Sequence, residues 1–404
     1  MTMLNFQQAL GAVKEKLEAV LLCPSTEVLP LDRVRGRVLA EDVNADRDYP
    51  PFHRATRDGF AVRSSDLVLL PVTLERMGEL RAGEHFPGRL GQGQCLEIMT
   101  GAPLPEGADA VVMIEHVRVN DSTVEVARAI GPFENVVKQG SEAPGGARVL
   151  ARGRRLRAAE MGLLASVGRA QVKVFSEPRV AILPTGDEVV PVEQTPEWFQ
   201  IRNSNAVTLA AQVAEAGGVP RMVGTAPDQK ELLRKLIEDG LTADILLMSG
   251  GISMGKYDLV AEVLKDLGAE IYFQGVAIRP GKPLTFGRVR EKFFFALPGN
   301  PVSTFVTFEL FVRPAIALMG GADFEFPAFL RARLGKPYQQ KSGLTAFMPA
   351  RVATAAGEPV VTLVGWQGSG DLVGVSAANC FLVVHPDQNE LKAGDWVDVL
   401  WRSH

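Results

Sequence analysis

Cysteine is scarce in this sequence, and its three copies lie far apart. Cys23, Cys95 and Cys380 form no Cys-x-x-Cys pair. This argues against a disulfide framework or a zinc cluster, and it indicates a reducing, cytoplasmic setting. The five histidines show no metal-ligand spacing, and no Gly-x-Ser-x-Gly elbow or Cys/His signature occurs. Nucleophilic catalysis therefore finds little support.

Excess positive charge and an unbroken hydrophobic run are also missing. The net charge of −4 argues against a nucleic-acid-binding protein, because such proteins carry a basic face. Residues 293–319 are rich in apolar side chains, but Pro298, Pro301 and Arg313 interrupt them, which favours a buried strand–turn–helix over a membrane span. The N-terminal residues lack the pattern of a signal peptide. We expect neither a membrane nor a nucleic-acid partner.

The composition present is that of an ordinary soluble protein, with 46% hydrophobic and 22% charged residues. Residues 6–22 have a helical apolar period that Asn5 can cap. Residues 43–138 alternate in short runs between glycines and prolines, which predicts a β-rich lobe. Residues 178–319 alternate between strands and helices, so we predict the α/β class with a doubly wound, largely parallel sheet. A small β domain follows Pro327.

More local predictions follow from the same patterns. We predict strands over 179–183, 243–248 and 293–297, helices over 204–216, 258–267 and 302–319, and a loop over 140–153.

Four turns rich in glycine and proline follow apolar runs of the α/β segment. They are Leu183–Glu188, Ser249–Asp258, Arg279–Pro283 and Leu297–Pro301. In an open α/β sheet such turns meet at the carboxyl edge, where ligands bind. Bare N–H groups of glycines there suit phosphate or another oxyanion.

The turns bring two kinds of charge together. Asp187, Glu188 and Asp258 are oxygen ligands suited to Mg²⁺. Arg279 and Lys282 suit an oxyanion. Taken singly, each fits a solvated turn, a helix cap or a surface cation, but independent turns would not supply all of them at successive strand ends. The residues alone predict a metal-assisted reaction on a phosphate-bearing substrate.

Some positions also have a purely structural interpretation. Asn300 and Pro301 fit the cap and first turn of a helix. Asp228 precedes a capping-box pattern, and for it alone we favour the structural role. In the N-terminal lobe, Asp58 and Thr100 lie in glycine turns and by physics alone belong to those turns.

Six motifs carry a family resemblance. They are Asp58-Gly-Phe-Ala61, Thr100-Gly-Ala-Pro103, Pro184-Thr-Gly-Asp-Glu188, Ser249-Gly-Gly-Ile-Ser253 with Asp258, Arg279-Pro-Gly-Lys-Pro283 and Pro298-Gly-Asn-Pro301. Together and in this order they resemble molybdopterin molybdenumtransferase, the bacterial MoeA family, which is similar to the E domain of gephyrin. The resemblance covers nearly the whole chain, and the motifs are specific in combination.

The resemblance implies an enzyme that takes adenylylated molybdopterin and molybdate, hydrolyses the adenylate with Mg²⁺ or another divalent cation, and releases AMP. It also implies a homodimer whose cleft lies between one subunit's α/β domain and the other subunit's N-terminal lobe. Contact with the adenylyltransferase that supplies the substrate is a further expectation. The four parts are expected at 1–44 with 145–177 (linker domain), 45–144 (inserted β-rich lobe), 178–325 (molybdopterin-binding α/β domain) and 326–404 (barrel-like β domain).

The resemblance also implies residue roles. Asp58 and Thr100 would serve the cleft from the other subunit, and Glu188, Asp228 and Asp258 would handle metal and pyrophosphate. Molybdate would be held by Arg279, Lys282, Arg351 and Ser376. The substrate would be bound by Thr185, Gly186, Ser249, Gly250, Gly251, Ser253, Pro298, Gly299, Asn300 and Pro301.

Three motifs depart from the family pattern. Ser-x-Met-Asp-Gly becomes Ala55-Thr-Arg-Asp58-Gly, Lys-Pro-Gly-Lys becomes Arg279-Pro-Gly-Lys282, and Gly-Glu-Asp becomes Gly140-Ser-Glu142. In the first motif a hydroxyl is moved or lost. In the second, arginine replaces lysine and changes the donor geometry. In the third, one carboxylate is lost. Two alternatives stay open: a related pterin or nucleotide pyrophosphate hydrolase that shares the α/β domain, and a gephyrin-like scaffold.

Overall fold

The structure is a computed structural model that describes residues 3–20, 24–251, 259–340, 343–355 and 357–401. The chain forms two compact units. The first comprises residues 1–28, 36–40 and 173–404, and the second comprises residues 29–35 and 41–172. The four-part division expected from the sequence is finer than this and stays a prediction.

The described residues contain both helices and strands throughout. The helices are α1 (Phe6–Glu18), α2 (Ala158–Ser166), α3 (Ser204–Glu215), α4 (Lys230–Gly240), α5 (Leu259–Asp266), α6 (Pro301–Thr307), α7 (Arg313–Met319) and α8 (Leu372–Ala377). The strands are β1 (Thr26–Pro30), β2 (Val43–Asn44), β3 (Arg54–Ala55), β4 (Gly59–Val62), β5 (Val72–Leu80), β6 (Gln94–Ile98), β7 (Ala110–Met113), β8 (Val117–Asn120), β9 (Thr123–Val126), β10 (Val136–Val137), β11 (Arg148–Leu150), β12 (Gln171–Phe175), β13 (Arg179–Pro184), β14 (Val189–Val190), β15 (Ile201–Arg202), β16 (Val219–Met222), β17 (Ile245–Ser249), β18 (Glu270–Gln274), β19 (Ile278–Arg279), β20 (Thr285–Val289), β21 (Lys292–Leu297), β22 (Phe329–Leu334), β23 (Tyr338–Gln339), β24 (Thr345–Ala355), β25 (Glu358–Leu363), β26 (Cys380–Val384), β27 (Glu390–Leu391) and β28 (Trp396–Trp401).

A six-stranded mixed sheet lies at the centre of the first unit. Its order is β16-β13-β17-β21-β20-β18. The first four strands are parallel, whereas β20 is antiparallel to both β21 and β18. The predicted strands β13, β17 and β21 are confirmed to within two residues. The strands β16, β18 and β20 were not predicted.

Helices cover both faces of this sheet. In β17, Ile245 and Leu247 belong to one hydrophobic core, while Leu246 and Met248 belong to the other. This alternation is the two-residue period of a strand buried on both sides. Residues of α1, α3, α6 and α7 fill the first core, and those of α4 and α5 fill the second. The doubly wound α/β prediction is therefore confirmed.

The predicted apolar helix after β21 runs from Pro301 to Met319 and contains a π-helical turn at Phe308–Val312. Within that turn the Arg313 N–H donates to the Phe308 carbonyl, and Pro314, which follows, has no N–H to donate. The helix is long and apolar enough to cross a membrane, with a mean hydropathy of 1.5, but 78% of its apolar window is buried inside the protein. Such burial is typical of a core helix.

The C-terminal strands close into a five-stranded barrel. β24 pairs with both β25 and β26, and the ring closes through β22 and β28. Leu334, Val361 and Leu382 belong to the barrel's own core. Phe347 and Phe381 belong instead to the core that contains α1, α3 and α6. Barrel and α/β sheet thus share hydrophobic packing.

The second unit is β-rich, as predicted. Its six-stranded sheet has the order β7-β4-β6-β5-β9-β8, and β5 and β6 are its parallel pair. Phe60 and Val62 face one core, and Ala61 faces another. The loop predicted over 140–153 is wrong in part, because β11 pairs with β2 there. β11 has three residues and its pairing with β2 contains a bulge, so the strand is too short to show a periodic sequence pattern.

One helix end and one short helix differ from the prediction. Asn5 caps α1 and forms a capping box with Gln8, as expected, but α1 ends at Glu18 rather than Leu22. Leu17 is its last buried residue, although Val20 beyond the helix end still packs against the same core. Residues 21–23 lie outside the described residues. The short helix α8 was missed, because six residues give too little periodicity.

Phe6 joins α1 to the barrel and to the long apolar helix. Its ring centroid lies 5.8 Å from that of Phe311, 6.2 Å from Phe329 and 5.6 Å from Phe347, all edge-on. We expect Phe6→Ala to lower the free energy of unfolding by about 3–5 kcal/mol, because the substitution leaves a cavity at this junction. Urea unfolding measures this loss.

Phe326→Ala is the matched control for that measurement. The Phe326 side chain is 57% exposed, whereas Phe6 is 6% exposed. The control should lose far less stability than Phe6→Ala. Equal losses would show that Phe6 is no special junction.

Candidate active site

Three of the predicted turns meet at the carboxyl edge of the central sheet. The strands β13, β17 and β21 end side by side there, with Pro184 opposite Ser249 and Ser249 opposite Leu297. A cavity of about 210 Å³ opens between the turns that follow. Its lining residues are Pro184, Thr185, Glu188, Val189, Ile201, Arg202, Asn203, Ser204, Asn205, Ser249, Gly250, Gly299, Asn300 and Pro301.

Backbone hydrogen bonds hold these turns at fixed spacing. The Thr185 N–H donates to the Ser249 carbonyl at 2.9 Å, and the Gly250 N–H donates to the Leu297 carbonyl at 3.2 Å. Gly250 has a φ of +95°, and a Cβ there would lie 2.6 Å from the Thr185 carbonyl oxygen. Only glycine fits this close approach of two turns.

Asn205, which was not among the predicted site residues, joins two of the turns. Its Nδ2 donates to the Ser249 Oγ at 2.8 Å and to the Gly299 carbonyl at 2.7 Å. Asn203 already caps α3 by accepting from the Ala206 N–H. A second asparagine in the first turn is therefore not needed for capping. In the sequence, this extra asparagine could have pointed to a role for Asn205 outside the helix.

Thr185 carries a buried hydroxyl beneath the glycine turn. The residue is 4% exposed, and its Oγ1 has no hydrogen-bond partner among the described residues. A Cβ at Gly251 would lie 2.6 Å from this oxygen. An unpaired buried hydroxyl costs free energy, so its retention beside a cavity indicates a functional site.

Asn300 occupies the N-cap position predicted for it, with Pro301 at the first helical position. Its predicted capping role is wrong, because the side chain forms no bond to the helix. The Asn300 Nδ2 instead donates to the Ser369 Oγ at 2.8 Å, and the Ser369 carbonyl accepts from the Val302 N–H at 2.9 Å. Ser369, from the segment before α8, thus satisfies the helix end in its place.

Three carboxylates lie together beside the cavity. The Asp228 N–H donates to Asp187 Oδ1 at 2.9 Å. Desolvation and the negative charges of Asp187 and Glu188 raise the pKa of Asp228. The capping box predicted for Asp228 is wrong, because Gln229 takes the N-cap position of α4 and makes no side-chain cap bond. The hydrogen bond to Asp187 holds Asp228 outside the helix.

The carboxylates do not form a closed metal cage. Among the described residues, no group of three or more His, Cys, Asp or Glu side chains is arranged to hold a metal ion. The remaining predicted acid, Asp258, and the predicted substrate-binding Ser253 lie outside the described residues.

The predicted molybdate-binding residues do not line this cavity. Arg279 and Lys282 are exposed, and β19, which contains Arg279, pairs with β24 of the barrel. Arg351 is an exposed residue of β24, and the Ser376 Oγ in α8 donates to the Val373 carbonyl. Two of the four, Arg279 and Arg351, therefore lie on strands of the barrel sheet.

Asp58 and Thr100 form a pair in the second unit. The Thr100 N–H and hydroxyl both donate to Asp58 Oδ1, at 2.7 and 2.8 Å. These two hydrogen bonds lower the pKa of Asp58, so the exposed carboxylate is ionised at neutral pH. The residue after Asp58 must be glycine, because a Cβ at Gly59 would lie 1.9 Å from the Val112 carbonyl oxygen.

A second cavity, of about 440 Å³, lies between the start of α1 and the barrel. It contains a hydrogen-bonded pair, His385 Nε2 and Asp398 Oδ2, 2.8 Å apart. None of the residues predicted to bind substrate lines it.

The chain is similar to known proteins over nearly its whole length. Three family descriptions match: "MoeA N-terminal region (domain I and II)" over residues 4–168, "Probable molybdopterin binding domain" over 181–318, and "MoeA C-terminal region (domain IV)" over 331–401. A molybdopterin molybdenumtransferase of Staphylococcus aureus is 33% identical over 96% of this chain and 94% of that protein. One of Staphylococcus epidermidis is 33% identical over 92% and 90%. A crystal structure of a molybdopterin biosynthesis MoeA protein from Pyrococcus horikoshii has a TM-score of 0.85 and 28% identity, covering 99% of this chain and 100% of that one.

The carboxylate cluster gives a titration prediction. Asp187→Asn should lower the pKa of Asp228 toward 3.8, because it removes one of the two negative charges that raise it. A raised pKa contributes stability below the unfolded pKa that is lost as pH rises through the folded value. As the pH rises from acid to neutral, the free energy of unfolding of Asp187→Asn should therefore fall less than that of the wild type. Carboxyl NMR titration measures the shift.

Asp239→Asn provides the control, since Asp239 pairs with Arg221 at the end of α4. This variant should leave the Asp228 titration unchanged. An Asp228 pKa that stays the same in Asp187→Asn would contradict the proposed coupling.

Proposed function

The chain belongs to the MoeA family of molybdopterin molybdenumtransferases, enzymes of molybdenum cofactor biosynthesis, and from this premise we propose that its α/β cavity binds adenylylated molybdopterin. The observation that carries the proposal is the meeting of three glycine turns at one sheet edge. The helix after β21 begins at this edge, and the partial positive charge of its N-terminus attracts phosphate oxygens. We assign the substrate to six residues that line the cavity, Thr185, Ser249, Gly250, Gly299, Asn300 and Pro301. We also assign it to Gly186, Gly251, Ser253 and Pro298 of the same sequence motifs.

The acids beside the cavity suit a divalent cation. Negative charge on Asp187 and Glu188 disfavours ionisation of Asp228, and a cation would relieve that repulsion. Mg²⁺ commonly binds one or two carboxylates together with substrate phosphates, so the open arrangement fits it. When bound, such an ion would neutralise charge on the pyrophosphate. Asp187, Glu188 and Asp258 would hold it.

Hydrolysis of the adenylate needs an acceptor for the proton of water. The water oxygen bonds to the adenylate phosphorus, the bond from that phosphorus to the molybdopterin phosphate breaks, and AMP leaves. We assign Asp228 to take the proton, because its N–H donates to Asp187 Oδ1 at 2.9 Å, which holds it beside the proposed metal ligands without making it one of them. Asn205 holds the Ser249 hydroxyl in place for the substrate.

Molybdate binding falls to the barrel side of the first unit. Arg279, Lys282, Arg351 and Ser376 would bind it, and none of these four lines the cavity described above. We further propose a cytoplasmic homodimer in which Asp58 and Thr100 serve the cleft of the other subunit. Transfer of substrate directly from the adenylyltransferase belongs to the same proposal. The matches outside the α/β domain argue against a hydrolase that shares this domain alone.

Release of AMP tests the function. Purified protein with adenylylated molybdopterin and Mg²⁺ should release AMP when molybdate is added and much less without it. A pyrophosphate hydrolase would release AMP equally in both cases, and a scaffold would release none. Parallel reactions with tungstate measure oxyanion preference.

The oxyanion assignment gives a second measurement. Lys282→Ala should weaken molybdate binding by roughly 1.5–3 kcal/mol, the range for a hydrogen bond to a charged group. The molybdate concentration for half-maximal turnover should rise far more than that of the pterin substrate. Lys265→Ala, on α5, removes an equal charge away from the turn and should change neither. An equal rise for both substrates would contradict the assignment of Lys282 to molybdate.

A further inference from the structure

Arg202 is the one basic residue among the described residues that line the α/β cavity, and none of the predicted motifs includes it. Of the described residues that line the cavity, only Glu188 and Arg202 are charged. The two do not form an ion pair in the described structure, so neither charge is neutralised by the other. The remaining lining groups are backbone, hydroxyl, amide and apolar groups. The cavity therefore has a single guanidinium available for an anion.

The backbone around Arg202 is firmly held at the cavity wall. β15 pairs in parallel with β14, and Arg202 lies opposite Val190. The Ile201 N–H donates to the Glu188 carbonyl at 2.9 Å, and the Asn203 N–H donates to the Val190 carbonyl at 2.9 Å. The residue thus has hydrogen-bonded backbone on both sides.

The side chain is anchored at one nitrogen. Arg202 Nε donates to the Val192 carbonyl at 3.0 Å. Within the described residues, the two terminal nitrogens donate no hydrogen bond. A guanidinium fixed at Nε keeps its paired terminal donors in a set plane, which suits two oxygens of one phosphate.

Two helix ends beside Arg202 also attract an anion. Arg202 immediately precedes the Asn203 cap of α3, a helix of 12 residues, and the cavity includes the first residues of that helix. The N-terminus of the helix after β21 lines the same cavity. Both helix ends carry partial positive charge that adds to that of Arg202.

We propose that Arg202 binds the pyrophosphate of the adenylylated substrate through its two terminal nitrogens. This inference rests on the proposed function of the cavity and adds a specific residue to it. Glu188 would help to hold the divalent cation, and Arg202 would bind pyrophosphate oxygens directly. Arg279 and Lys282 are thereby left to molybdate.

The test compares Arg202→Gln and Arg202→Lys with the wild type. In the AMP-release assay, Arg202→Gln should raise the KM for adenylylated molybdopterin roughly ten- to hundredfold, the range for a lost hydrogen bond to a charged group. The half-saturating molybdate concentration should change little. Arg202→Lys should give an intermediate KM, because lysine keeps the charge and loses the fork. Raised salt should increase KM less in Arg202→Gln than in the wild type.

Arg234→Gln is the matched control. Arg234 lies on α4, pairs with Glu238 and is 41% exposed, so its loss changes net charge equally without touching the cavity. This variant should keep the wild-type KM. If Arg202→Gln also keeps it, or if Arg234→Gln raises it as much, the inference is overturned. Should Arg202→Gln fail to fold, Arg202→Lys decides, and a wild-type KM there overturns the inference.

Calorimetry with inorganic pyrophosphate and Mg²⁺ separates this inference from the proposed function. Wild-type protein should bind pyrophosphate more tightly than Arg202→Gln by a similar factor. Weaker binding in the variant supports Arg202 even if no AMP is released, in which case the proposed reaction alone fails. Equal binding overturns the inference even if the wild type is active.

Discussion

The register of three parallel strands determines where the cavity lies. Because Pro184 pairs with Ser249 and Ser249 with Leu297, β13, β17 and β21 end at one level. Turns that follow strands of equal reach must meet, and here they meet through glycines. A slip of one residue would move one turn and would also exchange the side chains that face the two cores. The site and the core therefore depend on the same pairing.

The packing around this sheet continues into the barrel. Phe347 and Phe381 of the barrel belong to the core formed by α1, α3 and the long apolar helix. Hydrogen bonds also link this helix to Ser369. The Ser369 Oγ accepts from the Asn300 Nδ2, and the Ser369 carbonyl accepts from the Val302 N–H near the start of the helix. The end of the helix at the cavity is thus fixed by a residue from the barrel side, which couples the two parts of the first unit.

Much of this organisation was readable from the sequence. The apolar periods predicted the doubly wound sheet and the glycine turns predicted the edge at which they meet, because both are local patterns with a fixed geometric meaning. Asn205 and Arg202 were not predicted, since their importance depends on which turns come together in three dimensions. The capping roles assigned to Asp228 and Asn300 were wrong for a related reason. Their partners, Asp187 and Ser369, are distant in the sequence.

Part of the cavity floor is glycine main chain. A Cβ at Gly299 would lie 3.3 Å from the Gly250 Cα, and one at Gly250 would meet the Thr185 carbonyl. At these two positions a side chain would collide with a neighbouring turn, so divergence within this fold cannot easily reshape this part of the cavity. New substrate preferences would arise at the rim, where Ile201 and Arg202 project from a short strand pair. The site is therefore conservative at its base and adaptable at its entrance.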